Sequence, residues 1–101
     1  MIPETICGLK PEIQEQLHKA FKSFNKIEKV VLFGSRAKGN FKDGSDIDLC
    51  LYGENLNLDD LLQVSLAIDD LDLHLKVDLC IFHLIENKNL LDHIGRVGIS
   101  F

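Results

Sequence analysis

The sequence has no excess of positive charge. It contains 11 Lys and Arg residues against 16 Asp and Glu residues, which gives a formal net charge of −5. Proteins that bind DNA or RNA neutralise phosphate groups with clustered basic side chains. The charge balance therefore argues against a protein that binds duplex or single-stranded nucleic acid.

Long apolar runs are also missing. No stretch approaches the roughly 20 residues that a helix needs to cross a bilayer. The N-terminus has neither the basic start nor the long apolar run of a signal peptide. The few cysteines, Cys7, Cys50 and Cys80, are widely spaced and form no CxxC pair, which indicates a reducing compartment. We therefore expect a cytoplasmic protein that does not associate with membranes.

What the sequence does contain is enough apolar material for one folded domain. The 101 residues are 46% hydrophobic, which argues against disorder and suits a modest core. No repeat, linker or low-complexity segment divides the chain, so we predict one domain over residues 1–101. The patterns predict helices at 11–24, 58–71 and 87–94, strands at 29–33, 46–51, 75–81 and 98–101, and a helical turn at 35–38. This order predicts an α/β (α+β) fold with helices packed against one face of a small sheet.

Single residues predict three details of the helices. Asn57 is a suitable N-cap for the helix at 58–71, and Gly95 is a suitable stop for the helix at 87–94. The buried side of the 58–71 helix is predicted to consist of Leu58, Leu61, Leu62, Leu66 and Ile68.

Two aspartates stand at alternate positions of the second predicted strand. Because alternate residues of a strand share a face, Asp46 and Asp48 lie together, opposite Ile47. Asp is depleted in strands, and two carboxylates about 4 Å apart repel by about 4 kcal/mol at an effective dielectric of about 20. A magnesium ion would turn this repulsion into a binding site, since it commonly takes one or two carboxylates together with substrate phosphates. We therefore predict that Asp46 and Asp48 hold both of two Mg²⁺ ions.

A third carboxylate can come from the strand at 75–81. Its apolar residues share one face, and Asp78 points the other way. If this strand lies beside that of Asp46 and Asp48, Asp78 completes the metal site and can accept the proton of an attacking hydroxyl. Asp72 has the same parity and is a rival, but Asp78 is preferred because its strand is the more apolar and central.

The residues that follow the first strand suit the phosphates of a nucleotide. Gly34 lets the chain turn sharply without a Cβ that would obstruct a ligand. Ser35 opens a short helical turn whose free N–H groups favour anions, and its hydroxyl is predicted to contact the terminal phosphates. Two roles stay open for Arg36, a phosphate clamp or a ligand of structural carboxylates.

Other interpretations of this segment fit less well. The run from Asp43 to Asp48 is not a calcium loop, because Gly44 stands at the second position instead of the sixth and no Glu closes the loop. Residues 34–39 have the glycine spacing of a Walker loop, but Asn40-Phe41 replaces the required Lys and Ser/Thr. A solvated turn that enters an edge strand is the remaining alternative to a metal site.

These motifs resemble those of the DNA polymerase beta-like nucleotidyltransferase superfamily. Gly34-Ser35, ten intervening residues and Asp46-x-Asp48 look like its signature, and Val77-Asp78-Leu79 matches its third-carboxylate strand. Within the superfamily the chain is similar to the minimal nucleotidyltransferases (MNT) of prokaryotes. The C-terminal segment 93–99 resembles their last helix and strand, although the usual acidic residue after the arginine is absent here.

The resemblance implies a mixed sheet of the polymerase beta palm-like fold and magnesium-dependent transfer of a nucleoside monophosphate, usually AMP from ATP. Several MNT proteins are antitoxins that adenylylate a HEPN-domain ribonuclease toxin, so a HEPN-type partner is implied here. For this chain the implied catalytic and metal residues are Asp46, Asp48 and Asp78, and the implied nucleotide-binding residues are Gly34, Ser35 and Arg36.

Two further functions stay open. Transfer to a small molecule such as an aminoglycoside would need walls that this chain is too short to supply alone. A non-catalytic antitoxin that masks its toxin by binding would have no need of a repulsive carboxylate cluster. Because nothing after Phe101 remains to hold the acceptor, we expect a partner chain or self-association to complete the site. Val97, Ile99 and Phe101 could serve that contact or belong to the core.

Overall fold

The computed structural model describes residues 7–101. Residues 1–6, on which the expectation about a signal peptide partly depends, lie outside the described residues. The helices are α1 (Pro11–Lys22), α2 (Gly34–Lys38), α3 (Leu58–Asp69) and α4 (Lys88–Val97). The strands are β1 (Lys29–Phe33), β2 (Ile47–Tyr52), β3 (Val77–Ile81) and β4 (Ile99–Ser100), and a 3-10 turn covers Phe82–Leu84. No helix in the described part of the chain is long and apolar enough to span a membrane.

The strands form one mixed sheet in the order β3-β2-β1-β4. β1 lies antiparallel to both β2 and β4, whereas β2 lies parallel to β3. A parallel pair needs a long crossover connection, and α3 lies in the segment that supplies it. The predicted α/β fold class, with the mixed sheet that the resemblance implies, is confirmed.

The main core lies on the sheet face that α1 and α3 cover. Alternation along β2 places Ile47, Leu49 and Leu51 on this face, and all three are fully buried. α1 packs Leu17 and Phe21 against them from one stripe of the helix. The intervening residues of β2 point to the opposite face of the sheet, where the candidate site lies.

The opposite face is only partly open. Val31 and Cys50 form a small second core there with Ile94 of α4, which is 3% exposed. The fold thus differs in one respect from the prediction that the helices pack against one face. Val31 and Cys50 make part of this second face apolar, and α4 covers that part.

The buried side of α3 also differs from the predicted one. The N-cap is as predicted, because Asn57 and Asp60 exchange side-chain to backbone hydrogen bonds in a capping box. Ile68 is buried as predicted, and Val64, which was not predicted, is buried as well. Both sides of α3 carry apolar residues, so periodicity alone does not tell which side packs. Three leucines predicted to be buried are instead 69%, 56% and 51% exposed, and these are Leu58, Leu62 and Leu66.

The prediction that the last helix ends at Gly95 is wrong. Asn87 caps the start of α4 by accepting two backbone N–H groups of the first turn, and the helix continues through Gly95 to Val97. The N–H of Gly98 donates to the Ile94 carbonyl, and a Cβ at Gly98 would overlap with that oxygen. The close approach that requires glycine therefore occurs at Gly98.

The C-terminal segment divides between sheet edge and core. Ile99 of β4 is 37% exposed. Phe101 packs against the main core beside Phe21, and its N–H donates to the Val30 carbonyl over 2.9 Å. Of the two roles left open for this segment, core packing therefore applies to Phe101.

Candidate active site

Asp48 and Asp78 occupy paired positions on the parallel strands β2 and β3. Paired residues of neighbouring strands point to the same side of a sheet, so the two carboxylates lie together. Asp46 is exposed and immediately precedes β2. It is near enough to act electrostatically on Asp48. The structure thus pairs Asp48 with Asp78 and places Asp46 within electrostatic range of Asp48.

The rival carboxylate Asp72 lies elsewhere. It is exposed in the connection between α3 and β3, where its carboxylate stands 3.9 Å from Nε2 of His74. Its backbone is in the left-handed region, with φ +51°, so it belongs to no strand. Asp72 therefore does not share a sheet face with Asp48.

The neighbourhood of Asp48 disfavours its negative charge. Burial is the largest cause that raises the pKa of the Asp48 carboxyl, and the charges of Asp78 and Asp46 raise it further. His93 and Lys76 act in the opposite direction. Lys76 Nζ also lies 3.6 Å from Asp78 Oδ1, but this pair is largely exposed and such pairs contribute little. A site that holds like charges together in this way is expected to favour a cation.

The Gly34 backbone lies directly against the Asp48 carboxylate. Phe33 at the end of β1 pairs with Asp48 across the antiparallel ladder, so the chain turns at Gly34 beside that side chain. Gly34 has φ +77°, and a Cβ there would overlap with Oδ2 of Asp48. Both the backbone conformation and the space therefore require glycine at this position.

The turn after Gly34 forms the short helix α2. Its end is fixed by Gly39, whose left-handed backbone lets its N–H donate to the Ser35 carbonyl over 3.0 Å. Within residues 7–101 the Ser35 hydroxyl makes no hydrogen bond, and Ser35 is partly exposed. That hydroxyl is therefore available to a ligand at the edge of the carboxylate pair.

Arg36 has contacts of a kind that the sequence did not suggest. The side chain is 2% exposed, and its guanidinium donates to the carbonyl oxygens of Ser45, Asp43 and Cys7 over 2.9 to 3.3 Å. It also stacks on the Phe41 ring, 5.2 Å from its centroid. The two roles expected for Arg36, a phosphate clamp or a ligand of structural carboxylates, are therefore corrected, because its guanidinium binds backbone carbonyl oxygens instead. Arg36 anchors the loop that leads to Asp46.

Replacing Arg36 should therefore loosen this loop and destabilise the fold. We expect Arg36→Lys to lower the free energy of unfolding by about 2–4 kcal/mol, since a single ammonium cannot satisfy three separated carbonyls in a buried site. Urea unfolding measures this loss. Lys38→Met, in the same helix but exposed, is the control and should change stability by less than about 0.5 kcal/mol. Equal effects of the two variants would contradict the anchoring role.

The sequence did not predict that His93 would lie near the site. Nε2 of His93, on α4, accepts a hydrogen bond from the Gly34 N–H over 3.1 Å. The His93 ring also packs edge to face against Phe33, with centroids 6.1 Å apart. The sequence predicted a helix at this place, but only the docking of α4 on the second sheet face brings His93 to the turn.

The comparison with protein families decides the relationship. The family model described as "Polymerase beta, Nucleotidyltransferase" matches residues 15–101. The chain belongs to this nucleotidyltransferase family. Comparison with curated protein sequences found no significant match.

Solved structures share the fold of this nucleotidyltransferase domain. A toxin–antitoxin complex with AMP-PNP has a TM-score of 0.70 and 21% identity, over 86% of this chain and 70% of that one. A protein described as a minimal nucleotidyltransferase has a TM-score of 0.68 and 24% identity, over 97% of each chain. The complex of the tri-AMPylated Shewanella oneidensis HEPN toxin with its MNT antitoxin has a TM-score of 0.60 and 20% identity, over 87% of this chain and 70% of that one.

The donor groups of the nucleotidyltransferase site suit a hard divalent cation. In the described residues no group of three or more His, Cys, Asp or Glu side chains is arranged to hold a metal ion. Magnesium, however, commonly takes only one or two carboxylates and completes its shell with water and phosphate oxygens. The pair of Asp48 and Asp78, whose mutual repulsion raises the pKa of Asp48, matches that requirement. Asp46, an exposed residue just before β2, stays a predicted additional ligand.

Proposed function

We propose that this nucleotidyltransferase moves AMP from ATP to a hydroxyl of a HEPN-type partner protein, in a magnesium-dependent reaction, and so acts as the antitoxin of a toxin–antitoxin pair. The observation that carries the proposal is the pairing of Asp48 with Asp78 beside the Gly34 turn. A carboxylate pair next to a partly exposed serine hydroxyl suits a metal-bound triphosphate. The cytoplasmic location and self-association stay predictions.

Each side chain of the proposed site has a distinct role. Asp46 and Asp48 would hold two magnesium ions, and Asp78 would complete the shell of one of them. When bound, these ions would neutralise charge on the triphosphate and acidify the attacking hydroxyl. Asp78 would accept the proton of that hydroxyl as its oxygen bonds to the α-phosphorus and pyrophosphate leaves. Ser35 would donate a hydrogen bond to the departing phosphates beside the Gly34 turn.

The choice of nucleotide and acceptor draws on the proteins that share the fold. One is a toxin–antitoxin complex with AMP-PNP, and another pairs an MNT antitoxin with a tri-AMPylated HEPN toxin. These two descriptions motivate ATP as donor and a HEPN-type protein as acceptor. An acceptor with a hydroxyl such as that of tyrosine fits the proton transfer assigned to Asp78.

Label transfer tests the proposal. The chain is incubated with magnesium, α-labelled ATP and a candidate HEPN-type partner protein, and intact-mass spectrometry is used to detect added AMP. We expect one or more AMP groups on the partner with the wild type and none with the double variant Asp46→Ala, Asp48→Ala. Both forms should bind the partner equally in a pull-down experiment, because Asp46 and Asp48 are the proposed metal ligands rather than the docking surface.

The same double variant separates catalysis from masking. If AMP transfer is the protective step, cells that produce the toxin together with the double variant should not grow. If they grow as well as cells with the wild type, protection comes from stoichiometric binding. Label on a small molecule such as an aminoglycoside, and none on the partner, would show a different acceptor class.

A further inference from the structure

The peptide N–H of Gly34 is bound by a residue that lies outside β1 and outside the turn that follows it. Its N–H donates to Nε2 of His93, which lies on α4, 59 residues further along the chain. α4 is in turn fixed to the sheet by Ile94, the neighbour of His93, which packs with Val31 and Cys50 in the second core. The position of the imidazole is therefore set by packing, and the Gly34 N–H meets a preformed acceptor.

That hydrogen bond defines the tautomer of the neutral ring. A nitrogen that accepts an N–H has no proton of its own, so a neutral ring carries its proton on Nδ1. The ring is further restrained by its edge-to-face contact with Phe33, the residue before Gly34. Phe33, the last residue of β1, and Gly34, the first residue of α2, thus touch the same imidazole.

The Gly34 peptide must be oriented accurately, because the Gly34 Cα lies against the Asp48 carboxylate with no room for a methyl group. Small rotations of this peptide would move both Asp48 and the Ser35 hydroxyl that follows. A glycine has the widest conformational freedom of any residue, so an external restraint is useful at this place.

We propose that His93 is a positioning residue, whose imidazole fixes the Gly34 peptide and thereby sets the Gly34–Ser35 turn against Asp48 for nucleotide binding. The inference rests on the proposed nucleotide site for its consequence, but the restraint itself concerns only this chain. His93 touches neither the nucleotide nor the metal ions in this assignment. It acts through Gly34.

The test compares two substitutions of similar length and no charge. Glutamine can place an amide oxygen near the position of Nε2, whereas methionine offers no comparable acceptor. We expect His93→Met to weaken binding of magnesium α,β-methylene-ATP, a non-transferable ATP analogue, by roughly tenfold, as when one orienting hydrogen bond is lost. His93→Gln should bind within roughly threefold of the wild type. His83→Met changes an exposed residue of the 3-10 turn, and this control variant should bind the analogue as the wild type does.

A second measurement reports on the restraint without any ligand. The chain has 7 glycines, so glycine-selective ¹⁵N labelling gives a simple amide spectrum. The Gly34 resonance should shift and exchange faster with water in His93→Met, and stay near its wild-type position in His93→Gln. If the wild type bound no nucleotide but this pattern appeared, the proposed function would fail while the restraint stood. An unchanged Gly34 resonance in His93→Met would overturn the inference, and so would His93→Gln binding the analogue as weakly as His93→Met.

Discussion

Asp48→Asn should abolish nucleotidyl transfer and at the same time make the folded chain more stable. The amide keeps the shape of the carboxyl but removes its charge, which the proposed magnesium ions need as a ligand. Groups that merely support a metal ligand already cost 10–100-fold when removed, so loss of the ligand itself should exceed about 100-fold. Transfer of labelled AMP measures the first effect, and urea unfolding measures the second.

The gain in stability follows from the sign of the Asp48 pKa shift. Burial, Asp78 and Asp46 raise the pKa of this carboxyl in the folded state above its usual value of 3.8. The charge therefore destabilises the fold at every pH above the folded pKa. The penalty shrinks as the pH falls from the folded pKa towards the unfolded one, where both states become protonated. The stabilisation by Asp48→Asn should thus be present at neutral pH and disappear in acid.

Two controls sharpen this expectation. Asp59→Asn removes an exposed carboxylate on α3, on the other side of the sheet, and should leave transfer unchanged. Added magnesium should raise the melting temperature of the wild type but not that of Asp48→Asn, because an ion that binds only the folded site stabilises it. An Asp48→Asn protein that is less stable than the wild type at neutral pH would contradict the electrostatic account.

Gly34→Ala should destabilise the fold and disturb the candidate site at the same time. The new Cβ would overlap with Oδ2 of Asp48, and the residue would have to keep a backbone φ of +77°. The left-handed conformation alone costs roughly 1–2 kcal/mol for a residue with a Cβ. Displacement of Asp48 adds to that cost and should remove transfer activity, as measured by the same labelling assay.

Gly39→Ala is the matched control for this substitution. Gly39 also has a left-handed backbone, with φ +91°, but a Cβ there would meet nothing within 4 Å. It should lose roughly 1–2 kcal/mol of stability and keep its activity. In an Asp48→Ala background, the extra cost of Gly34→Ala should fall towards that of Gly39→Ala. If Gly34→Ala and Gly39→Ala affected transfer equally, the contact with Asp48 would not matter for the reaction.

The sheet face that carries the carboxylates of the candidate site could be predicted, because strand alternation fixes the face on which each residue lies. Asp48 alternates with the buried residues Ile47 and Leu49 along β2, which places its side chain on the second sheet face. The place of Asp78 needed only one further condition, that β3 lies beside β2 in a suitable register, and the structure meets it. Local rules therefore sufficed to pair Asp48 with Asp78, whereas the part of Asp46 in a metal site stays a prediction.

Residues whose role depends on docking could not be predicted. The sequence of α3 offers two apolar sides, and only the crossover between β2 and β3 decides that Val64 faces the core while Leu62 and Leu66 do not. Arg36 looks like a basic residue in a phosphate loop until its carbonyl partners are known. His93 reaches Gly34 from α4, and no spacing in the sequence connects the two.

The register between β2 and β3 links the reverse side of the sheet to the chemistry. A slip of one residue would bring Asp78 into the hydrocarbon interior and place Val77 or Leu79 opposite Asp48, because each step along a strand reverses the side chain. Burial of the leucines and valines on the core face of the sheet therefore keeps Asp48 and Asp78 paired, although their like charges repel. Mutations that add or remove volume in this buried apolar layer should alter the affinity of the proposed magnesium site without changing any of its oxygen ligands.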